Sequence, residues 1–435
     1  MYWGKITIFA AGTFILDKKK IINDPVYGFI TIPAGIIFEL IEHPYFQRLR
    51  NIKQMGLAYL VYPGAIHTRF HHALGAMHLM GMAIETLRGK GHNISKQEEE
   101  AVNIAILLHD IGHGPFSHAL EHTIVEGISH EHISSLLMDN LNKEFGNGLQ
   151  LALEIFNNRY DKPFLHQLVS SQLDCDRMDY LSRDSFFTGV SEGIIGFDRI
   201  IKMLNVRRNQ LVVEEKAIYS IEKFLIARRL MYWQVYLHKA AVSAEHMLVA
   251  ILRRAKYLVS TGVELFCTPN FRHFLTRSVT REDFERDPAH LQCFSSLDDY
   301  DIYTSVKVWA GADDLILSYL CKSLVKRRLY KTEISNVPIG EDRLRKLEEL
   351  AVKTFGIRQE EVHYFVFTDV IINNAYNVND GNINILTKDG DVKDITLASD
   401  NSTLEALAKT VKKYILCYPR ELNVTKKEDI GSEMN

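Results

Sequence analysis

Residues 105–118 read AILLHDIGHGPFSH. A run of small and apolar residues, Ala105–Leu108, leads straight into His109 and Asp110; Gly112, His113, Gly114, Pro115 and His118 follow. Upstream, Ser95 and Glu98 have the spacing of a capping box, which predicts a helix from there to about Ile111. That helix is apolar nearly all round from Ile104 to Leu108, so it is expected to be central and buried. Gly112 suits its C-terminal cap, and Pro115 suits the first turn of the next helix. A carboxylate beside an imidazole at the end of a buried helix is costly unless something compensates. A divalent cation does so, because carboxylate and neutral imidazole are among its ordinary ligands. Two ligands do not hold an ion alone, so other segments must supply the rest.

Two further residues fit. His72 closes HTRFHH (residues 67–72), near the start of a helix pattern over Phe70–Leu87. Its face continues through Gly75, Ala76, Leu79 and Ala83, small enough for close packing. Asp176 lies in LDCDRMDY (residues 173–180), at the far end of a helix pattern over Phe164–Ser182. His72 taken alone could equally be a satisfied polar group of the core.

The 435 residues are 46% hydrophobic and 24% charged, an ordinary globular composition. A formal net charge of -3 gives no support to nucleic acid as a partner. Cys175, Cys267, Cys293, Cys321 and Cys417 are scattered without a CxxC pair, which favours a reducing, cytoplasmic setting over a disulfide scaffold or a zinc ribbon. ITIFAAGTFIL (residues 6–16) is too short to span a bilayer, and only Lys5 precedes it. It reads as an extra strand, or as residues ahead of a later true start, rather than as a signal peptide, and no membrane association is expected.

Helices are expected over Ala34–Ile41, Pro44–Met55, His130–Asn142, Leu149–Asn157, Phe197–Leu204, Ala217–Lys239, Ala244–Val259, Ser296–Ala310 and Asp313–Lys326. Tyr59–Tyr62 reads as a short strand and Gln210–Val213 as a hairpin arm. Beyond residue 335 the texture turns β-rich over Glu360–Ile371 and Ile383–Ile395, with a helix expected over Leu404–Leu416. The expected organisation is an extension over 1–19, a helical catalytic core over 20–335, a smaller C-terminal α/β lobe over 336–425 and a charged, disordered tail over 426–435.

The order His … His-Asp … Asp is the signature of the HD-domain phosphohydrolases, which the chain resembles. Longer blocks narrow the likeness: INDPVYGFI (residues 22–30), FQRLRNIKQMGLAYLVYPGAIHTRFHHALG (46–75), LLHDIGHGPFSH (107–118), SHEH (129–132) and LDCDRMDYLSRDS (173–185). Together they resemble the deoxynucleoside triphosphate triphosphohydrolases, which include bacterial dNTPases and a mammalian enzyme with SAM and HD domains. The likeness is strong over residues 20–260, and no SAM domain is expected ahead of the core.

The resemblance implies a mainly α fold, an HD-domain helical core with a smaller α/β lobe. It makes His72, His109, Asp110 and Asp176 the metal ligands. It places His113, His118, Glu121 and His130 at the reacting phosphate, with His118 as general acid and Glu121–His130 as a positioning dyad. His118 and Glu121, i and i+3 on one helix face, fit such a pairing. His122 and His132 are expected at the surface or behind the ligands. The substrate set is Gln54, Arg69, Arg177, Tyr180, Asp184, Arg228 and Tyr236: arginines on phosphate, Gln54 and Asp184 on the sugar 3′-hydroxyl, and Tyr236 against the deoxyribose. Leu237 stands where the family has a base-facing Gln, which weakens any reading of base preference. Asp179 and Arg183, i and i+4, read as a solvent-facing ion pair.

Residues matching a regulatory guanine-nucleotide site are Lys20, Asn23, Glu42, Gln47 and Arg50, with Glu42 in place of an Asp. The implied cofactors are a transition metal (Fe, Mn, Co or Zn) at the HD site and Mg²⁺ with the substrate phosphates. The implied partners are a dNTP, a nucleotide activator such as GTP and further copies of the chain, a tetramer being favoured. Two other readings remain open at this point. One is an HD phosphohydrolase acting on a monophosphate, cyclic nucleotide or alarmone; the other is a nucleotide- or nucleic-acid-binding protein with little turnover.

Overall fold

A computed structural model of the protein describes residues 19–116, 123, 125, 127–373, 376, 381–400 and 410–422. The fold is mainly helical, with small sheets at its margins. His118, Glu121 and His122, the extension before residue 19 and the expected tail lie outside the described residues.

The described chain opens with a hairpin, β1 (Lys20–Asp24) and β2 (Gly28–Ile32). Asp24 builds its turn: Oδ1 accepts the backbone N–H groups of Val26 (2.9 Å) and Tyr27 (3.0 Å). Then follow α1 (Ile36–Glu42) and α2 (Pro44–Gln47). The helix expected to reach Met55 stops at Gln47 and tightens into a 3₁₀ turn, Arg48–Asn51. There buried Arg48 points inward, donating to the carbonyls of Ile111 (2.7 Å), His113 (3.0 Å) and Leu297 (2.9 Å). Gly56–Leu60 is another 3₁₀ turn, where a strand over Tyr59–Tyr62 was expected; no neighbouring strand offers it a ladder among the described residues.

The core is built on α3 (Arg69–Gly89) and α4 (Lys96–Leu108). Ile104–Leu108 are fully buried or nearly so, as the all-round apolar pattern requires. The capping box forms: Ser95 N–H donates to Glu98 (2.7 Å) and Glu98 N–H to Ser95 Oγ (3.1 Å). The Glu98 carboxylate also accepts from Tyr160 (2.7 Å) and Lys162 (2.7 Å). Burial pushes its pKa up, but Lys162, the Ser95 N–H and Tyr160 outweigh that and hold it at about 2. A carboxyl depressed in the folded state stabilises the fold above its unfolded pKa and loses that contribution as pH falls towards the folded value. Glu98→Gln is therefore expected to lower stability by about 2 kcal/mol at pH 7 and by little near pH 2. Urea midpoints measured across that range test this; an equal loss at both ends would contradict it.

Next come α5 (His130–Glu144), α6 (Gln150–Phe156), α7 (Pro163–Val169) and α8 (Cys175–Thr188). The single helix expected over Phe164–Ser182 is thus two. The break comes at Asp174, whose Oδ1 accepts the N–H of Arg177 (2.7 Å) and whose Oδ2 accepts that of Ser171 (2.7 Å), an N-cap that starts α8. Asp176 consequently sits in the first turn of its helix rather than at a far end.

After α9 (Phe197–Lys202), β3 (Leu204–Arg207) and β4 (Gln210–Glu214) pair as the expected hairpin. Its turn residues Arg208 and Asn209 both take left-handed φ. α10 (Ile218–Met231) passes through a π-helical turn, Tyr232–Tyr236, closed by Leu237 N–H to Tyr232 O (2.8 Å), and α11 (Lys239–Ser260) follows. The helix expected over Ala217–Lys239 is interrupted there. Three short helices, α12 (Pro269–Leu275), α13 (Arg281–Arg286) and α14 (Pro288–Phe294), precede α15 (Asp299–Trp309) and α16 (Leu315–Val325).

Beyond these, β5 (Lys331–Ser335), α17 (Glu341–Phe355), β6 (Phe367–Asn373), β7 (Asn384–Leu386), β8 (Val392–Asp394) and β9 (Val411–Tyr418) complete the chain. One antiparallel sheet runs β5-β9-β6, and β7 adds to β4 in parallel, with β8 outside it. The helix expected over Leu404–Leu416 is overturned in its described half: Val411–Leu416 belongs to β9. VKKYILCY is rich in β-branched and aromatic residues, and pairing on both edges decides its state. Among the described residues no single helix is long and apolar enough to cross a membrane.

Candidate metal centre and adjoining cavity

Three segments converge at the N-terminus of α3, just past the end of α4 and in the first turn of α8. His72 Nε2 lies 3.3 Å from His109 Nε2 and 3.1 Å from Asp176 Oδ1, which is itself 3.5 Å from His109 Nε2. Asp110 lies beside this trio without joining it through one oxygen: Oδ1 is 3.4 Å from His109 Nε2 and Oδ2 is 3.8 Å from His72 Nε2. Metal bonds of about 2.1 Å separate two ligand atoms by about 3.0 Å at a right angle and about 3.4 Å at the tetrahedral angle. The observed separations fall around these values.

Hydrogen bonding sets the ring tautomers. His109 Nδ1 lies 2.6 Å from the Ile106 carbonyl, which can only accept. His72 Nδ1 lies 2.7 Å from Asp179 Oδ2. Asp179 is held ionised: burial raises its pKa, but Arg183 and His72 outweigh that and lower it. With both Nδ1 atoms donating, deprotonated rings would turn their Nε2 lone pairs towards each other at 3.3 Å, where either a proton or a cation would satisfy them. The electrostatics agree. Burial lowers the pKa of His72, yet Asp176 and Asp179 lift it to about 10. Burial raises that of Asp176, yet His109 and His72 bring it far below the carboxylate range. A pocket that draws a proton so strongly suits a divalent ion, which competes with that proton.

Asp110 faces two ways. Oδ2 pairs with Arg69, and Oδ1 lies 3.3 Å from His113 Nε2. His113 stacks on His130 with ring centroids 3.8 Å apart, and Asp110, His113 and His130 also form a second group with metal-ligating geometry. Burial, then the Arg69 charge, pushes His113 down to about 3, so its ring is neutral at ordinary pH. His132 lies apart from the centre, 3.2 Å from Glu285.

Gly112 is not the αL cap of α4, which ends at Leu108 with His109 behind it. It is needed for close approach instead: a Cβ there would lie 2.3 Å from His130 O and from Ser134 N. The contact seats the ligand-bearing turn on the first turn of α5, where Gly112 N–H donates to Ser134 Oγ (2.9 Å) and Ser134 Oγ donates to His109 O (2.7 Å).

Beside the centre opens a cavity of about 410 Å³, lined among others by Gln54, Arg69, Tyr180, Asp184, Tyr236 and Leu237. Asp184 is fixed by His67 Nε2 (2.7 Å) and the Tyr236 hydroxyl (2.6 Å), and Tyr236 comes from the π-helical turn. Arg177 and Arg228 are not part of this lining: Arg177 pairs with Asp174, and Arg228 donates to Gln172 (3.0 Å). The regulatory candidates lie on the hairpin and α1–α2. Lys20 sits over the Phe38 ring (3.5 Å), and Arg50 donates to Gln47 (2.7 Å) and covers Phe70 (3.6 Å). Asn23 and Glu42 are exposed.

One reading fails outright. Asp179 and Arg183 are not solvent-facing; both are 0% exposed. Spacing at i,i+4 alone does not say which way a pair points. The missed signal was Gly75 opposite them on α3: a Cβ there would come within 2.0 Å of Asp179 Oδ1 and 2.2 Å of Arg183 Nη2. Sequence reasoning also missed His67, Arg48 and Asp299. The last accepts the N–H of Phe116 (3.0 Å) and of Lys53 (3.0 Å), bracing both walls of the cavity.

Comparison with known proteins follows the same segments. Residues 69–184 match the HD domain family and residues 195–264 an HD associated region. The fold is similar to a crystal structure titled as a phosphohydrolase from Bacteroides thetaiotaomicron VPI-5482, with a TM-score of 0.90 and 54% identity, over 93% of this chain and 100% of that one. The uncharacterized protein YwfO of Bacillus subtilis is 35% identical over 73% of this chain and 72% of its own length. A deoxynucleoside triphosphate triphosphohydrolase, the SAMHD1 homolog of Dictyostelium discoideum, is 29% identical over 62% of this chain; the match spans 56% of that protein.

Proposed function

The chain belongs to the HD-domain phosphohydrolase superfamily, and on that premise we propose that it hydrolyses deoxynucleoside triphosphates to deoxynucleoside and inorganic triphosphate. The observation that carries this reading is Arg69. Its guanidinium pairs with Asp110 and also lines the cavity, so a phosphate chain seated there would meet a cation beside the candidate metal ligands.

His72, His109, Asp110 and Asp176 would hold a transition metal, one of Fe, Mn, Co or Zn. The bound ion supplies Lewis acidity and a nucleophilic water at neutral pH. Water attacks the α-phosphorus, the bond from phosphorus to the 5′-oxygen breaks, and that oxygen takes a proton. His118 is the assigned donor, with Glu121 and His130 positioning the reactants and His113 held neutral beside Asp110. Arg69, with Arg177 and Arg228 swung from their present partners, meets the triphosphate and its Mg²⁺. Asp184, held by His67 and Tyr236, and Gln54 take the 3′-hydroxyl; Tyr180 flanks the sugar and phosphate, while Tyr236 closes the space a 2′-hydroxyl would need.

Lys20, Asn23, Glu42, Gln47 and Arg50 form a nucleotide site at a contact between copies of this cytoplasmic protein, with GTP as the candidate activator.

The test is a panel of the four dNTPs and their ribo counterparts, with Mg²⁺ and Mn²⁺, with and without GTP, and products read by mass spectrometry. Deoxynucleoside plus triphosphate is expected. Released pyrophosphate or monophosphate would refute the reaction, and tight binding without turnover would favour a sensor.

A further inference from the structure

Behind His72, on the side away from the cavity, lies a chain of buried ionic contacts that the proposed reaction does not use. His72 Nδ1 meets Asp179 Oδ2 at 2.7 Å. Arg183 grips the same carboxylate with two prongs, Nε to Oδ2 and Nη2 to Oδ1, both at 3.0 Å. Its remaining prong, Nη1, reaches across to Asp24 Oδ2 of the β1–β2 hairpin at 2.7 Å. The guanidinium also lies 5.5 Å from the Tyr27 ring centroid, at the turn of that hairpin. Asp24 is 6% exposed, and His72, Asp179 and Arg183 are 1% exposed or less.

Two carboxylates and one guanidinium leave an excess of one negative charge in a buried region. That excess faces an imidazole whose other nitrogen points at the metal centre. A carboxylate on the far nitrogen of a metal-bound imidazole fixes the ring and makes its ligand atom more basic. How strongly Asp179 does so depends on Arg183. If Asp24 shares the guanidinium, Asp179 keeps charge for His72; if it does not, the Arg183–Asp179 pair neutralises itself. Geometry adds a second effect, because Asp24 and Asp179 together hold the planar fork in one orientation. Gly75 allows the whole row to press against α3.

We propose that Asp24 is a positioning residue for the metal ligand His72, acting through Arg183 and Asp179. The inference rests on the metal-site reading above and extends it to a hairpin outside the ligand-bearing segments. Asp24→Asn suits the test, because its amide oxygen still accepts the Val26 and Tyr27 N–H groups while the charge is removed.

Full-length protein stripped of metal is titrated with Mn²⁺ by calorimetry. Asp179→Asn is expected to weaken binding about 10- to 100-fold, and Asp24→Asn about 10-fold. Because Asp24 works through Asp179, the double variant loses no more than Asp179→Asn alone. Co²⁺-loaded wild type and Asp24→Asn differ in their visible d–d bands, which a purely structural defect in the hairpin would leave unchanged. Wild-type Mn²⁺ affinity in Asp24→Asn, or additive losses in the double variant, overturns the proposal. Should Asp24→Asn fail to fold, Arg183→Lys keeps the charge but loses the fork, and an unchanged affinity there overturns it equally. Wild-type protein that binds neither ion overturns the metal reading itself, a result distinct from a silent Asp24 variant.

Discussion

Asp110→Ala is expected to abolish metal retention and to cut phosphohydrolase turnover about a thousandfold or more. Asp110 stands where the candidate centre meets the cavity wall. It lies beside the His72 and His109 nitrogens, pairs with Arg69 at the cavity wall and approaches His113. Burial alone would favour its neutral form, but His109, Arg69 and His113 hold it far down as a carboxylate. Without it, three donors remain around an ion, and Arg69 loses the partner that aims it. Metal per chain by elemental analysis and initial rates on a dNTP are the measurements. A variant that kept a full complement of metal and more than a tenth of the rate would exclude Asp110 from both roles.

The second large effect is on stability. Gly112→Ala places a methyl group 2.3 Å from both His130 O and Ser134 N, backbone atoms that cannot turn aside as a side chain could. Either α5 moves off the ligand-bearing turn or the turn itself moves. Overpacking of this kind costs about 3 kcal/mol. The Ser134 Oγ hydrogen bonds to Gly112 N–H and His109 O would be strained with it. Denaturant melts of the metal-free chain check the stability term. Metal content then tells which side gave way: a shifted turn weakens the centre, whereas a shifted α5 spares it. A variant as stable as the parent would show that the close approach is not obligatory.

The convergence of the four candidate ligands was legible in the sequence because it is a matter of residue identity and order. His72, His109, Asp110 and Asp176 converge within hydrogen-bond-like distances, as the three segments suggested. What surrounds them was not legible. Asp179 and Arg183 have the spacing of a surface pair, and only the packing of α3 against α8 buries them. His67 and Asp299 act on residues more than a hundred positions away, so no local pattern announces them. The breaks at Asp174 and at Tyr232–Tyr236 interrupt helical periodicity that the residues themselves continue. β9 shows the same limit from the other side: its helix-compatible neighbours suggested one state, and two partner strands imposed another.

Arg48 and Asp299 bear on how the protein is made. Arg48 ties the carbonyls of Ile111 and His113 to that of Leu297, 249 positions along the chain from Arg48 itself, while Asp299 is joined to Phe116, 183 positions earlier. A nascent chain leaving the ribosome has all four ligands in hand once Asp176 emerges, yet the clamp that shapes their turn arrives only with α15. Loop closure over such separations is slow relative to local helix formation. A fragment cut to the HD segment alone would therefore carry the four candidate ligands without the buttress from Leu297 and Asp299 that braces their turn.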